Sequence, residues 1–160
     1  MQCNWHMNLK HLENQSNKKG VIRMKILIVE DDASSRKFLQ KFLSKYGECD
    51  AVVDGLEALE AFIISINDEK PYDLVCLDLM MPKVDGVATL KAIRDLERQK
   101  KVWLEDRVKV IITTALDDQE FVKKALELGC DLFISKPIDI HLFTKGLVTI
   151  GLIPQEDRSV

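Results

Sequence analysis

The chain has 160 residues, 46% hydrophobic and 31% charged, enough for one domain with a real core and typical of an ordinary globular protein. Its formal charge of −3 is uneven: Lys10, Lys18, Lys19 and Arg23 against Glu13 give residues 1–24 a net +3, leaving −6 for residues 25–160. An acidic body argues against a nucleic-acid partner, and no apolar stretch approaches the ~20 residues of a membrane span or the apolar region of a signal peptide, so the expected location is the cytoplasm, away from membranes.

Residues 1–23 are rich in Asn, Lys and Gln without a sustained period, and read as a flexible extension before a domain over 24–150, with 151–160 as a short tail. From Lys25 strand and helix signals alternate five times. An apolar strand, Lys25–Glu30, leads to a helix over Ala33–Tyr46 with Leu39, Phe42, Leu43 and Tyr46 on one face and Gly47 as its stop. A short strand, Asp50–Val53, precedes Asp54-Gly55-Leu56-Glu57, a capping box opening a helix with Leu59, Phe62, Ile63 and Ile66 inward. The third strand is Asp73–Asp78. The helix after it carries Val87, Leu90 and Ile93, with Lys91–Lys101 as a solvated helix end and Glu97–Asp106 as a charged connector.

The fourth strand, Val108–Thr113, is followed by a second capping box, Asp117-Asp118-Gln119-Glu120. Its helix buries Phe121, Val122, Ala125 and Leu126 and stops at Gly129. Asp131–Ser135 is the last strand and Asp139–Ile150 the last helix, in which Gly146 costs about 1 kcal/mol relative to Ala. Cys3, Cys49, Cys76 and Cys130 lack metal-ligand spacing and read as reduced thiols.

Such alternation with near-continuous apolar strands predicts an α/β fold, a parallel sheet with helices on both faces, whose polar site lies beyond the carboxyl ends of the strands. The conspicuous residues fall at those ends: Asp31 and Asp32 after the first strand, Asp78 closing the third, Thr113-Thr114 after the fourth, Lys136-Pro137 after the fifth. A carboxylate after four buried apolar residues needs compensation, and several carboxylates at one edge repel unless a cation sits among them. Asp31, Asp32 and Asp78 therefore form a candidate Mg²⁺ pocket. Asp78 is a candidate nucleophile toward phosphorus, Lys136 a point charge for a phosphoryl oxygen, and Thr114 a hydroxyl donor. Asp31 and Asp32 also suit capping of the helix at Ala33, and Asp32 can cap while touching a metal-bound water.

These residues resemble the receiver domain of bacterial two-component response regulators. Glu30-Asp31-Asp32, Asp78 with Met81-Pro82 and Asp85-Gly86, Thr114-Ala115 and Lys136-Pro137 occur in the family's order and spacing over residues 24–150. The resemblance implies a doubly wound five-stranded sheet of order 2-1-3-4-5, flavodoxin-like. It implies that Asp78 accepts a phosphoryl group from a sensor histidine kinase or a histidine phosphotransfer protein. Asp32 and Asp78 would bind Mg²⁺ directly with the Met80 carbonyl, Asp31 through water, while Lys136 and Thr114 would contact phosphoryl oxygens and the Lys136–Pro137 peptide would be cis.

Thr114 would couple to Phe133, changing the face of the fourth helix, fifth strand and fifth helix that a downstream protein reads. Met80 and Leu116, apolar and flanking the path of an attacking water, would make loss of the phosphoryl group slow. The ten residues after the domain suggest a stand-alone receiver, a phosphoacceptor rather than an enzyme. The alternatives are a relay passing the phosphoryl group to a histidine, and an aspartate-nucleophile phosphatase, which would want an acid where Met80 stands.

Overall fold

A computed structural model describes residues 23–115 and 119–155. The expectations for residues 1–22, Leu116, the Asp117-Asp118 cap and the last five residues lie outside the described residues. Five parallel strands, β1 (Met24–Val29), β2 (Gly47–Val52), β3 (Leu74–Asp78), β4 (Lys109–Thr114) and β5 (Leu132–Ser135), form one sheet in the order β2-β1-β3-β4-β5. The helices between and after them are α1 (Ala33–Leu43), α2 (Gly55–Asn67), α3 (Gly86–Gln99), α4 (Gln119–Glu127) and α5 (Ile140–Thr149). Among the described residues no helix is long and apolar enough to cross a membrane.

Parallel strands covered on both faces need apolar side chains at every position, and β3, in the middle, is buried throughout as LVCLD. Alternation along the strands divides the core in two. Leu27, Val29, Val75, Leu77, Val110 and Ile112 meet α2, α3 and α4 through Phe62, Leu90, Ile93 and Ala125. Ile26, Ile28, Leu74, Cys76 and Ile111 meet α1 and α5 through Leu39, Phe42, Leu43, Phe143 and Leu147. Aspartates start the helices: Asp32, Asp54, Asp85 and Asp139 each accept backbone N–H groups at the first turn of α1, α2, α3 and α5. Glu57 reaches back to the Val53 N–H, 3.1 Å away, just outside its cap.

Three expectations are corrected. The first helix ends at Leu43 and β2 begins at Gly47, because Met24 N–H bonds to the Tyr46 carbonyl (3.1 Å) and draws the chain into the sheet early. Ile63 and Leu126 are exposed rather than inward, the buried lines being Ala58–Phe62–Ile66 and Phe121–Ala125–Leu128. Arg94 and Glu97, expected in solvent, are buried against the amino edge of β4, where Glu97 accepts the Val108 N–H at 2.8 Å. Gly146 also has a packing role: a Cβ there would lie 2.2 Å from Leu132 Cδ2, the tip of a side chain that would have to turn aside.

Candidate functional site

The carboxyl edge of β1, β3 and β4 is where the hydrophobic alternation delivers polar side chains. Counting by twos from Ile26 and Ile28 brings Glu30 to the face occupied by Asp78, and Val29 pairs with Leu77 in the preceding layer. Glu30 is fully buried and Asp78 is 4% exposed. Lys136, one residue past β5, joins them: its Nζ donates to Glu30 Oε2 at 2.6 Å and to Asp78 Oδ2 at 3.0 Å. The Lys136–Pro137 peptide is cis, and Lys136 N–H bonds to the Thr114 carbonyl at 2.8 Å, fixing β5's end against β4.

The other oxygens are also held. Asp78 Oδ1 accepts the Met80 N–H at 2.9 Å, and Glu30 Oε1 accepts the Asp32 N–H at 3.1 Å. Gly86 packs on the backbone of Asp78, where a Cβ would stand 2.3 Å from its carbonyl oxygen, and its N–H closes onto the Leu79 carbonyl at 3.1 Å. The loop between β3 and α3 is thereby folded tightly behind the carboxylate, leaving the Met80 side chain exposed. Burial raises the Glu30 pKa, the neighbouring Asp78 charge adds to this, and the Lys136 hydrogen bond only partly offsets it. For Lys136, burial opposes the ammonium, but the hydrogen bonds it donates to Glu30 and Asp78 win and its pKa is raised.

Carboxylate oxygens of Glu30, Asp31 and Asp78 lie within 4.8 Å of one another. Three carboxylates against one ammonium leave two negative charges, which a divalent cation would neutralise. A donor set made wholly of carboxylate oxygen suits a hard ion such as Mg²⁺. Of the sequence-expected ligands, Asp31 and Asp78 belong to this group and Asp32 does not. Asp32 accepts the Ser35 N–H at 2.7 Å as the cap of α1, and that bond holds its carboxyl below the usual range. Glu30 was hidden because three consecutive acids give no signal of their own; only the strand alternation singles it out.

Thr114 is fully buried at the end of β4, on the sheet face opposite Asp78, and Phe133 on β5 is half-buried against the core of that face. Leu116 lies outside the described residues.

The sequence matches the family described as response regulator receiver domain over residues 26–147. It is 39% identical over 127 residues to hybrid signal transduction histidine kinase L of Dictyostelium discoideum, covering 79% of this chain but only 7% of that protein's length. Two solved structures share the fold at 30% identity and TM-score 0.67. One is the Saccharomyces cerevisiae Ssk1 receiver domain complexed with the histidine phosphotransfer protein Ypd1, covering 83% of this chain and 92% of that one. The other is the CheX–CheY–BeF3–Mg²⁺ complex from Borrelia burgdorferi, covering 81% and 90%. With its sheet order, its acids at the β1 and β3 ends and its lysine after β5, the chain belongs to the receiver domains of two-component signalling.

Proposed function

We propose that Asp78 is the phosphoacceptor. The observation that carries this is the Lys136 ammonium held between Asp78 and Glu30 beside Asp31, a charge arrangement built for an incoming phosphoryl group rather than for stability. An Asp78 carboxylate oxygen attacks phosphorus in line. The O–P bond forms as the P–N bond to the donor's phosphohistidine breaks, and the electron pair leaves with the imidazole. Lys136 and Thr114 hold the phosphoryl oxygens. Bound Mg²⁺ would neutralise charge on those oxygens, held by Asp31, Asp78 and the Met80 carbonyl with Glu30 alongside.

Movement of Thr114 and Phe133 then alters the surface formed by α4, β5 and α5, which a downstream protein reads. A sensor histidine kinase or a histidine phosphotransfer protein supplies the phosphoryl group, and the Ssk1–Ypd1 pairing of a relative supports that class of partner. The same pairing supports a second reading, in which the domain relays the phosphoryl group onward to a histidine. Met80, where an aspartate-nucleophile phosphatase would carry its acid, has no proton to give, so Asp78 acts as an acceptor and not as a turnover catalyst.

The test is incubation with acetyl phosphate, with and without Mg²⁺, read by intact mass. Wild type gains one phosphoryl group only with Mg²⁺, and Asp78→Asn gains none. Phosphorylation that survives in Asp78→Asn would refute the assignment.

A further inference from the structure

Thr113 is the register partner of Asp78 across β3 and β4, and Ile134 is its partner on β5. Paired positions on parallel strands project to the same face, so Glu30, Asp78 and Thr113 form one lateral row at the carboxyl edge. Thr113 is 1% exposed, and its Oγ1 has no hydrogen-bond partner among the described residues. Valine would fill the same space, with equal preference for a strand and no unmet hydroxyl. Each oxygen of the neighbouring carboxylate already holds a donor: Oδ1 takes the Met80 N–H and Oδ2 the Lys136 ammonium. A buried donor with no partner thus stands one strand, about 5 Å, from the reacting group.

We propose that the Thr113 hydroxyl is a donor reserved for the phosphorylated form, turning to the Asp78 acyl oxygen that Lys136 releases. This rests on the assignment of Asp78 as phosphoacceptor. Forming the acyl phosphate takes the charge off the Asp78 carboxyl and places it on the phosphoryl oxygens, and the Lys136 ammonium follows the charge. The acyl oxygen left behind is a buried acceptor in need of a donor. From its position on the same face one strand away, Thr113 Oγ1 would turn to it by rotation about χ1. The hydroxyl is unmet before transfer and met after it, so it favours the modified state over the free one, as a group complementary to the product of a step does.

Beryllium fluoride in the presence of Mg²⁺, which mimics a phosphoryl group on a carboxylate, makes this an equilibrium measurement by calorimetry. Thr113→Val and Thr113→Ser are titrated beside wild type, and the urea stability of each free protein is recorded. Thr113→Val binds the mimic about five-fold more weakly, the worth of one hydrogen bond, yet is at least as stable as wild type when free, and Thr113→Ser restores the affinity. Equal affinity in wild type and Thr113→Val overturns the proposal, as does a loss of affinity that comes with a loss of stability. If wild type itself neither binds the mimic nor takes a phosphoryl group from acetyl phosphate, the phosphoacceptor assignment falls first, and this proposal with it.

Discussion

Two buried charge clusters sit at opposite edges of one sheet, and they are built on opposite rules. At the amino edge, Arg94 donates to Glu97 (2.8 Å), to the Val108 carbonyl (3.1 Å) and to the Gly129 carbonyl (2.7 Å), and Asp131 accepts the Val110 N–H (2.8 Å) while pairing with Lys109 (3.2 Å). Three cations, with Arg107 standing 4.0 Å from Glu97, meet two anions, and the acids spend their remaining capacity on backbone N–H groups. That cluster stitches α3 and the segment after α4 to the starts of β4 and β5. At the carboxyl edge, Glu30, Asp31 and Asp78 share one ammonium and remain in excess. A buried cluster whose acids are all matched by cations is a fastening; one with acids in excess is a site, because it is completed only by something that arrives.

Breaking each cluster separates the two roles. Asp78→Asn abolishes phosphorylation while leaving the urea midpoint equal to or above that of wild type, since it removes a charge from an over-supplied group. Arg94→Leu does the reverse: it leaves buried Glu97 with only the more distant Arg107, 4.0 Å away, and costs about 3–5 kcal/mol by urea unfolding. The folded fraction still takes a phosphoryl group from acetyl phosphate. A stable Arg94→Leu would dissolve the distinction.

Gly146→Ala tests packing away from both clusters. Although alanine favours helices, its Cβ meets Leu132, and we expect a net loss of about 1–3 kcal/mol.

The pH response follows from the sign of the shifts. The folded pKa of Glu30 is raised above its ordinary 4.5, so its ionised form weakens the fold, and this group adds stability as pH falls through the raised value toward 4.5. Glu30→Gln erases that gain, which chemical denaturation between pH 7 and 4.5 measures. Lys136, raised above 10.5, contributes stability that is present below 10.5 and lost as pH rises through its folded value. Asp32 and Asp54, lowered from 3.8 by the N–H groups they cap, lose their contribution only as pH falls below 3.8.

The smallest effect lies in the rate of phosphoryl loss. Met80→Asn combined with Leu116→Glu introduces groups able to orient water, and the acyl phosphate decays several-fold faster by mass; an unchanged half-life would show that the apolar pair is not what shields it.

The strands and helices were legible because buried parallel strands and amphipathic helices leave unmistakable periods, and because Asp54 with Glu57, and Asp32 before Ala33, precede their helices in capping positions. Asp78 and Lys136 were legible for a related reason: a charge that interrupts an apolar strand has few ways to be tolerated. Arg94 and Glu97 were not, since within a charged run nothing distinguishes the pair that turns inward from those that stay wet. Leu126 misled in the opposite sense, one helical position away from the true stripe through Ala125. Glu30 was masked by Asp31 and Asp32, and Thr113 by Thr114, each beside a more conspicuous neighbour of the same type.

The strand order has a mechanical consequence. β5 has four residues and is paired on one side only, to β4, so it is the most compliant strand on that flank of the sheet. Phe133 lies on it and Lys136 immediately follows it, while Asp78 closes the central strand, gripped on both sides. A rigid anvil and a yielding rim are thus bridged by one ammonium, through which a redistribution of charge at the centre would pull on the rim.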